Sequence, residues 1–141
     1  PGNPKSINGI ADLAGEKFIP RQKQAGSYVL LKHLLDEEGL NPATLDLLAP
    51  PARSELDVAI AVAEGKADAG LGIEAVARQQ RLEFRGLFQE RYDLVVWRRD
   101  YFEKPFQALL RFATSDNFLR RAEEMRGYDI SSLGTIRLNG A

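Results

Sequence analysis

Residues that could bind an anion stand just before predicted helices at three places in the sequence. The first place contains Gly26 and Ser27, the second contains Ser54, and the third contains Gly70 and Gly72. The N–H groups in the first turn of a helix have no partner within the helix, and the helix dipole favours negative charge there. Glycine lets a ligand approach the backbone closely, and a serine hydroxyl adds a hydrogen-bond donor. Each segment therefore has the chemistry of a small anion site.

Each segment taken alone also fits an ordinary capped helix that binds nothing. Ser27 is placed to cap one helix, and Ser54 and Asp57 have the spacing of a capping box. The first segment is not a P-loop, because the Gly-Lys-Ser/Thr ending is missing. In open α/β sheets, however, ligands bind at the carboxyl ends of strands, so loops that converge there form one site. The candidate ligand-binding residues, which all lie in these three segments, are Gln24, Gly26, Ser27, Tyr28, Ser54, Glu55, Gly70, Leu71 and Gly72.

The sequence carries little that could support catalysis. It has no cysteine and a single histidine, His33. Thiol nucleophiles, cysteine metal sites and paired-histidine metal motifs are therefore excluded, and a Ser-His-Asp triad would have to use His33. No acid–base pair stands in a context that favours proton transfer. We expect a binding domain and not an enzyme, with no catalytic residue, no metal site and no cofactor.

The composition also limits the kinds of binding partner that we expect. The formal net charge of -1 gives no electrostatic basis for direct contact with nucleic acid. No apolar run reaches the roughly eighteen residues that a membrane span requires. We therefore expect a small solute as the partner, and neither nucleic acid nor a membrane.

Strand and helix patterns alternate along the chain. The predicted strands are 17–19, 45–49, 67–73 and 92–97, with a further alternating stretch at 82–88. The predicted helices are 27–38, 54–64 and 74–79, followed by two helices within 103–126. This alternation predicts an α/β fold with a mainly parallel sheet and helices on both faces. It also predicts that the helices 27–38 and 54–64 begin at the same edge of the sheet.

The segment 54–75, with the run Gly-Lys-Ala-Asp-Ala-Gly-Leu-Gly at 65–72, resembles the helix–strand–helix signature of molybdate-type periplasmic binding proteins. It is more similar still to the periplasmic-binding-protein-like domain attached to bacterial helix-turn-helix regulators and molybdopterin-biosynthesis-like proteins. The stretches 2–5, 91–95 and 127–129 agree with the same family. The resemblance implies one lobe, plus a returning tail, of a type II periplasmic-binding-protein fold.

The resemblance also implies how the chain is organised. Residues 1–88 would be the second lobe, starting at the hinge crossing between the lobes. Residues 89–141 would be the return crossing and the C-terminal helices that pack on a first lobe. That first lobe is expected to lie outside this sequence, whose start reads as a cut inside a longer protein.

In this family the ligand lies in the cleft between the lobes, which close by hinge motion. The resemblance implies capture of a small anionic or polar solute, above all a molybdate-like oxyanion, with tungstate as a related candidate. Regulator-linked members read Gly-Ser-Gly-Thr-Arg at the first helix start, where this sequence keeps Gly26 and Ser27 but has Gln24, Ala25 and Tyr28. Gln24 and Tyr28 therefore favour an organic solute as the alternative ligand.

A partner outside this sequence, either a DNA-binding domain or a transporter, would respond to closure of the two lobes. A regulator-linked protein would be cytoplasmic, which is the expectation we favour, and a transporter component would be periplasmic. A different class of function is a dimerising interaction module, in which an apolar face that normally meets the first lobe forms a homodimer. An enzyme on the same fold is the third reading, and no acid–base pair supports it.

Overall fold

The computed structural model describes residues 2–138. The chain forms two compact units, Pro1–Phe88 and Gln89–Ala141. The first unit is a mixed α/β structure, and the second is helical where it is regular. The regular elements of the first unit are the 3-10 helices Ile10–Leu13 and Pro42–Thr44, the strands β1 (Lys17–Phe18) and β2 (Asp46–Leu47), and the helices α1 (Gly26–Glu37), α2 (Glu55–Ala63) and α3 (Glu74–Gln79).

The sheet of the first unit is parallel and centred on β1. Strand β1 pairs with β2, with Phe18 opposite Leu47. On its other side, Phe18 forms an isolated parallel bridge with Ala69, and beyond the strand Arg21 forms a similar bridge with Ala52. Three chain segments therefore run in the same direction side by side, as the alternation of strands and helices predicts.

The regular strands are shorter than the sequence pattern predicts. The segment 45–49 keeps only β2, and 67–73 keeps only the bridge at Ala69. Pro50 and Pro51 follow β2 and have no N–H to donate, and the glycines after Ala69 weaken strand propensity. The expected mainly parallel sheet is thus a small parallel sheet between helices.

The apolar core lies on both faces of β1 and its continuation. Successive side chains of an extended strand point to opposite faces. Phe18, only 2% exposed, belongs to a cluster with α1 residues such as Leu35, which is 1% exposed. Ile19 belongs to a second cluster that contains Val58 from α2. Helices α1 and α2 therefore cover opposite sides of the same short strand.

The ends of α1 and α2 follow local chemistry. Ser54 Oγ accepts a hydrogen bond from Asp57 N at 3.0 Å, and Asp57 Oδ2 accepts one from Ser54 N at 2.9 Å, which confirms the predicted capping box. Helix α1 ends before Gly39, whose φ of 65° lies in the left-handed region that glycine tolerates.

In the second unit, the helices are α4 (Arg98–Tyr101), α5 (Lys104–Ala113) and α6 (Asp116–Met125). The last two are the helices predicted within 103–126. Phe112 of α5 and Phe118 of α6 pack edge to face, with ring centroids 5.5 Å apart. Ala113 and Ala122 are buried, so close contact between α5 and α6 relies on small residues.

The predicted strand 92–97 is wrong. This segment adopts no regular secondary structure, and Tyr92 and Val95 are 89% and 100% exposed. The alternating stretch 82–88 is likewise irregular. A strand forms only where a neighbour pairs with its N–H and C=O groups, and no segment within residues 2–138 does so here. An alternating apolar sequence is therefore not sufficient to form a strand.

Gly70 provides a test of the close packing around β1. A Cβ atom at Gly70 would lie 2.5 Å from Val58 Cγ1 and 2.9 Å from Ile19 Cγ2. We expect Gly70→Ala to lower the free energy of unfolding by about 1–3 kcal/mol, because the core must shift to admit the methyl group. Gly86→Ala is the matched control, since a Cβ there meets nothing within 4 Å. Equal urea midpoints for both variants would contradict this packing.

Candidate functional site

The three candidate loops follow parallel chain segments. Because β1, β2 and the segment at Ala69 run in the same direction, their carboxyl ends lie at one edge. Helices α1, α2 and α3 begin after these ends. Backbone hydrogen bonds continue past the strands, from Ala52 N to Pro20 O at 2.9 Å and from Ile19 N to Ala69 O at 3.0 Å. The three loops therefore start side by side.

An ion pair joins two of these loops. Arg21, three residues after β1, places Nη1 2.5 Å from Oε1 of Glu55, the first residue of α2. Its Nη2 donates to the carbonyl oxygen of Arg53 at 3.2 Å. The side chains of Arg21 and Glu55 are 16% and 30% exposed. The candidate site thus contains a largely buried guanidinium that the sequence pattern does not indicate.

The third loop meets the same carboxylate. A Cβ atom on Gly72 would lie 3.4 Å from Glu55 Oε2, which is an ordinary contact distance, so the backbone of Gly72 passes close to the glutamate. Gly70 lies closer to the core, where an added Cβ would be 3.2 Å from the carbonyl oxygen of Ile19. The structure therefore brings Glu55, Gly70 and Gly72 together with Arg21 at one edge.

Ser27 does not cap α1, contrary to the expectation. The helix begins at Gly26, and Ala25 is its N-cap without a side-chain hydrogen bond. A turn closed by the bond from Ala25 N to Gln22 O at 2.8 Å ends at Ala25, and this turn sets the helix start. Ser27 lies inside the first turn, where its Oγ is buried and has no hydrogen-bond partner among residues 2–138.

The remaining candidates take different positions. The hydroxyl oxygen of Ser54 accepts the capping bond of α2, and Gln24 and Gly26 are exposed beside the start of α1. Leu71 packs against the core cluster around Phe18. Tyr28 lines a shallow depression along the flank of α1 with the side chains of Lys23, Val29, Lys32, His33 and Asp36.

Other reactive side chains lie elsewhere. His33 is 56% exposed on α1 and lies 3.5 Å from Glu37. Within the described part of the chain, no group of three or more His, Asp or Glu side chains is placed to hold a metal ion.

None of the helices between residues 2 and 138 is long and apolar enough to cross a membrane.

A second charged cluster lies beside Lys17, at the start of β1. Lys5 Nζ contacts Glu16 and lies 2.9 Å from Asp68 Oδ2, which also accepts a hydrogen bond from Lys17 N at 3.0 Å. The hydrogen bond from Lys5 lowers the pKa of Asp68, and the hydrogen bonds to Glu16 and Asp68 raise the pKa of Lys5. This cluster ties the N-terminal segment to the sheet on the edge away from the three loops.

The chain matches the model of the PBP superfamily domain over residues 1–114. It therefore belongs to this family of periplasmic-binding-protein-like domains. It is 32% identical over 139 residues to the uncharacterised protein YvgK of Bacillus subtilis (strain 168), a match that covers 97% of this chain and 44% of YvgK. The chain thus spans less than half the length of that relative.

A second relative comes from Clostridium pasteurianum and is described as an uncharacterised protein in the 5' region of a ferredoxin 2Fe-2S gene. The identity is 36% over 108 residues, which cover 73% of this chain and 96% of that protein. No solved structure matches the chain.

The two serines of the site should differ in their contribution to stability. We expect Ser54→Ala to lower the free energy of unfolding by about 1 kcal/mol, because the capping bond to Asp57 is lost. Ser27→Ala should cost less, since its hydroxyl has no partner to lose among residues 2–138. Urea denaturation of both variants measures the difference. A larger loss in Ser27→Ala than in Ser54→Ala would contradict the assigned helix starts.

Asp68 should make stability depend on pH. Its folded-state pKa lies below the ordinary value of 3.8, so its contribution is fully present above that value and is lost as the pH falls through the lower folded pKa. We expect Asp68→Asn to be less stable than the wild type at pH 7 and equally stable once the carboxylate is protonated. Urea midpoints measured from pH 7 to pH 2 test this expectation.

Asp36→Asn is the control for that series, because it removes the same charge from an exposed position on α1. A stability difference between wild type and Asp68→Asn that stays constant over the whole range would show that the ion pair with Lys5 has no effect.

Proposed function

We propose that this chain supplies one lobe and a returning tail of a solute-binding domain, and that its ligand is a small anion, with a molybdate-like oxyanion as the first candidate. Membership of the periplasmic-binding-protein-like family supports solute binding. The single observation that carries the anion proposal is the largely buried guanidinium of Arg21 at the edge where the three loops start. A largely buried guanidinium at the carboxyl ends of parallel strands suits a negatively charged ligand.

The start of α1 is the better of the two helix starts for an anion. Its first turn contains no acidic residue, whereas the first turn of α2 contains Glu55 and Asp57. The positive end of the α1 dipole is therefore not offset by carboxylates of its own. Gly26 leaves the backbone open to close approach, and Ser27 adds a hydroxyl one residue further on.

The proposed role is binding and not catalysis. A serine nucleophile needs a base within hydrogen-bond reach, and Ser27 Oγ has no such partner among the described residues. The charged groups at the edge, Arg21 and Glu55, offset each other in an ion pair. This arrangement favours a site that holds a ligand over one that moves a proton.

The whole protein would then have two lobes. A first lobe outside this sequence would complete the ligand shell, and hinge closure would bury the solute. A DNA-binding domain or a transporter would read the closure, with a cytoplasmic location in the first case and a periplasmic one in the second. YvgK, which is more than twice as long as the matched region, leaves room for such further segments in a relative of this kind.

Calorimetric titration with molybdate, tungstate, sulfate and phosphate tests the proposal. We expect at least one of these ions to bind, and Ser27→Ala to weaken that binding by about 1–2 kcal/mol, the size of one hydrogen bond to a charged group. Thr44→Ala is the matched hydroxyl deletion, because Thr44 precedes β2 at the opposite edge of the sheet. It should leave the affinity unchanged.

Equal affinity of wild type and Ser27→Ala would remove Ser27 from the site. If none of the four ions binds to the chain or to a longer form that contains both lobes, the oxyanion proposal fails. An organic solute recognised by Gln24 and Tyr28 would then be the better candidate.

A further inference from the structure

Arg21 and Glu55 form an ion pair at the edge where the three loops start, and their side chains are 16% and 30% exposed. We propose that Arg21 anchors the anionic group of the ligand and that Glu55 is a built-in competitor, whose carboxylate the ligand must displace. This inference rests on the proposed function, because it identifies the cation that an anion would meet in the same site. It assigns selectivity to a residue pair that joins two loops far apart in the sequence.

The hydrogen bonds of Arg21 leave part of its donor capacity unused. A guanidinium has five N–H donors and binds carboxylates and oxyanions through pairs of them. Here Nη1 donates to Glu55, and Nη2 donates to the carbonyl oxygen of Arg53. The buried Nε has no acceptor within residues 2–138. A ligand with several acceptor oxygens could therefore satisfy donors that Glu55 leaves unpaired.

Glu55 can leave Arg21 without losing all of its favourable interactions. It is the first residue of α2, where the helix dipole stabilises a negative charge. Its side chain is 30% exposed, compared with 16% for that of Arg21. Gly72, which lies beside it, has no side chain that would block its movement. These features limit the cost of displacing the carboxylate.

The ion pair is not needed to hold the two loops together. Ala52 N donates to Pro20 O at 2.9 Å, and Arg21 and Ala52 form a parallel β-bridge. The backbone therefore already joins the loop after β1 to the segment before α2. The pair is thus better explained by ligand selection than by structural support.

The consequence is that the site would discriminate more strongly between different anions. An ion that approaches Arg21 meets the negative charge of Glu55 at short range, and it gains the guanidinium only when the carboxylate moves away. An anion with many acceptor atoms can offset that cost, whereas an ion that forms a single contact cannot. Glu55 would therefore lower the affinity for every anion while it discriminates between them.

The test compares wild type, Glu55→Gln and the double variant Glu55→Gln with Arg21→Gln by calorimetric titration with molybdate and sulfate. We expect Glu55→Gln to bind about tenfold more tightly than wild type, because a competing charge-assisted contact is removed. The double variant should lose that gain. Glu37→Gln removes the same charge at the far end of α1 and should leave the affinity unchanged.

Urea denaturation of the same variants separates binding from folding. Cooperative unfolding of Glu55→Gln together with tighter binding supports the inference. Equal or weaker binding by Glu55→Gln overturns it, and so does loss of cooperative unfolding, which would make the pair a structural clamp.

The two proposals fail in different ways. Anion binding by wild type with no gain in Glu55→Gln overturns the competitor role and leaves the proposed function standing. Binding by Glu55→Gln alone supports the competitor role and overturns the oxyanion as the natural ligand.

Discussion

The short parallel pairing of β1 is the constraint on which the first unit depends. Phe18 faces the core under α1, and Ile19 faces the core under α2, so both hydrophobic clusters rest on two adjacent residues. The pairings of Phe18 with Leu47 and Ala69 fix the direction of the neighbouring segments. The same pairings continue to Arg21, which is why the strand that organises the core also positions the guanidinium of the site.

The sequence predicts the helices well, because the signals for helices are local. Helix α2 begins one residue after Ser54, where the capping box with Asp57 places it. Helix α1 begins one residue before the predicted start, because a turn between Gln22 and Ala25 sets it, and such a turn requires no serine or threonine that a sequence pattern could show. Strands depend on partners distant in the chain, so the apolar pattern of 92–97 could not reveal that no segment pairs with it.

The edge at which the three loops start could be predicted from the sequence, but the Arg21 guanidinium at that edge could not. Alternating strands and helices place loops at one edge of the sheet, and this pattern indicates Ser27, Glu55 and Gly72 as candidate ligand-binding residues. Arg21 lies in a polar stretch after Pro20, and its contact with Glu55 spans 34 positions. Its position just beyond a strand at the carboxyl edge was the one available signal, and many loop residues share that signal.

The starts of α1 and α2 differ in their electrostatic character, and this asymmetry would allow the Glu55 carboxylate and the proposed anion site to coexist. Glu55 and Asp57 in the first turn of α2 offset its dipole, and Glu55 also holds Arg21, whereas the first turn of α1 contains no acid. In the proposed function, an anion at α1 would gain the free N–H groups directly, and it would gain Arg21 only in exchange for Glu55. The dipole contribution is fixed, while the contribution of Arg21 would depend on the number of ligand oxygens, so affinity and selectivity would reside in different elements of the proposed site.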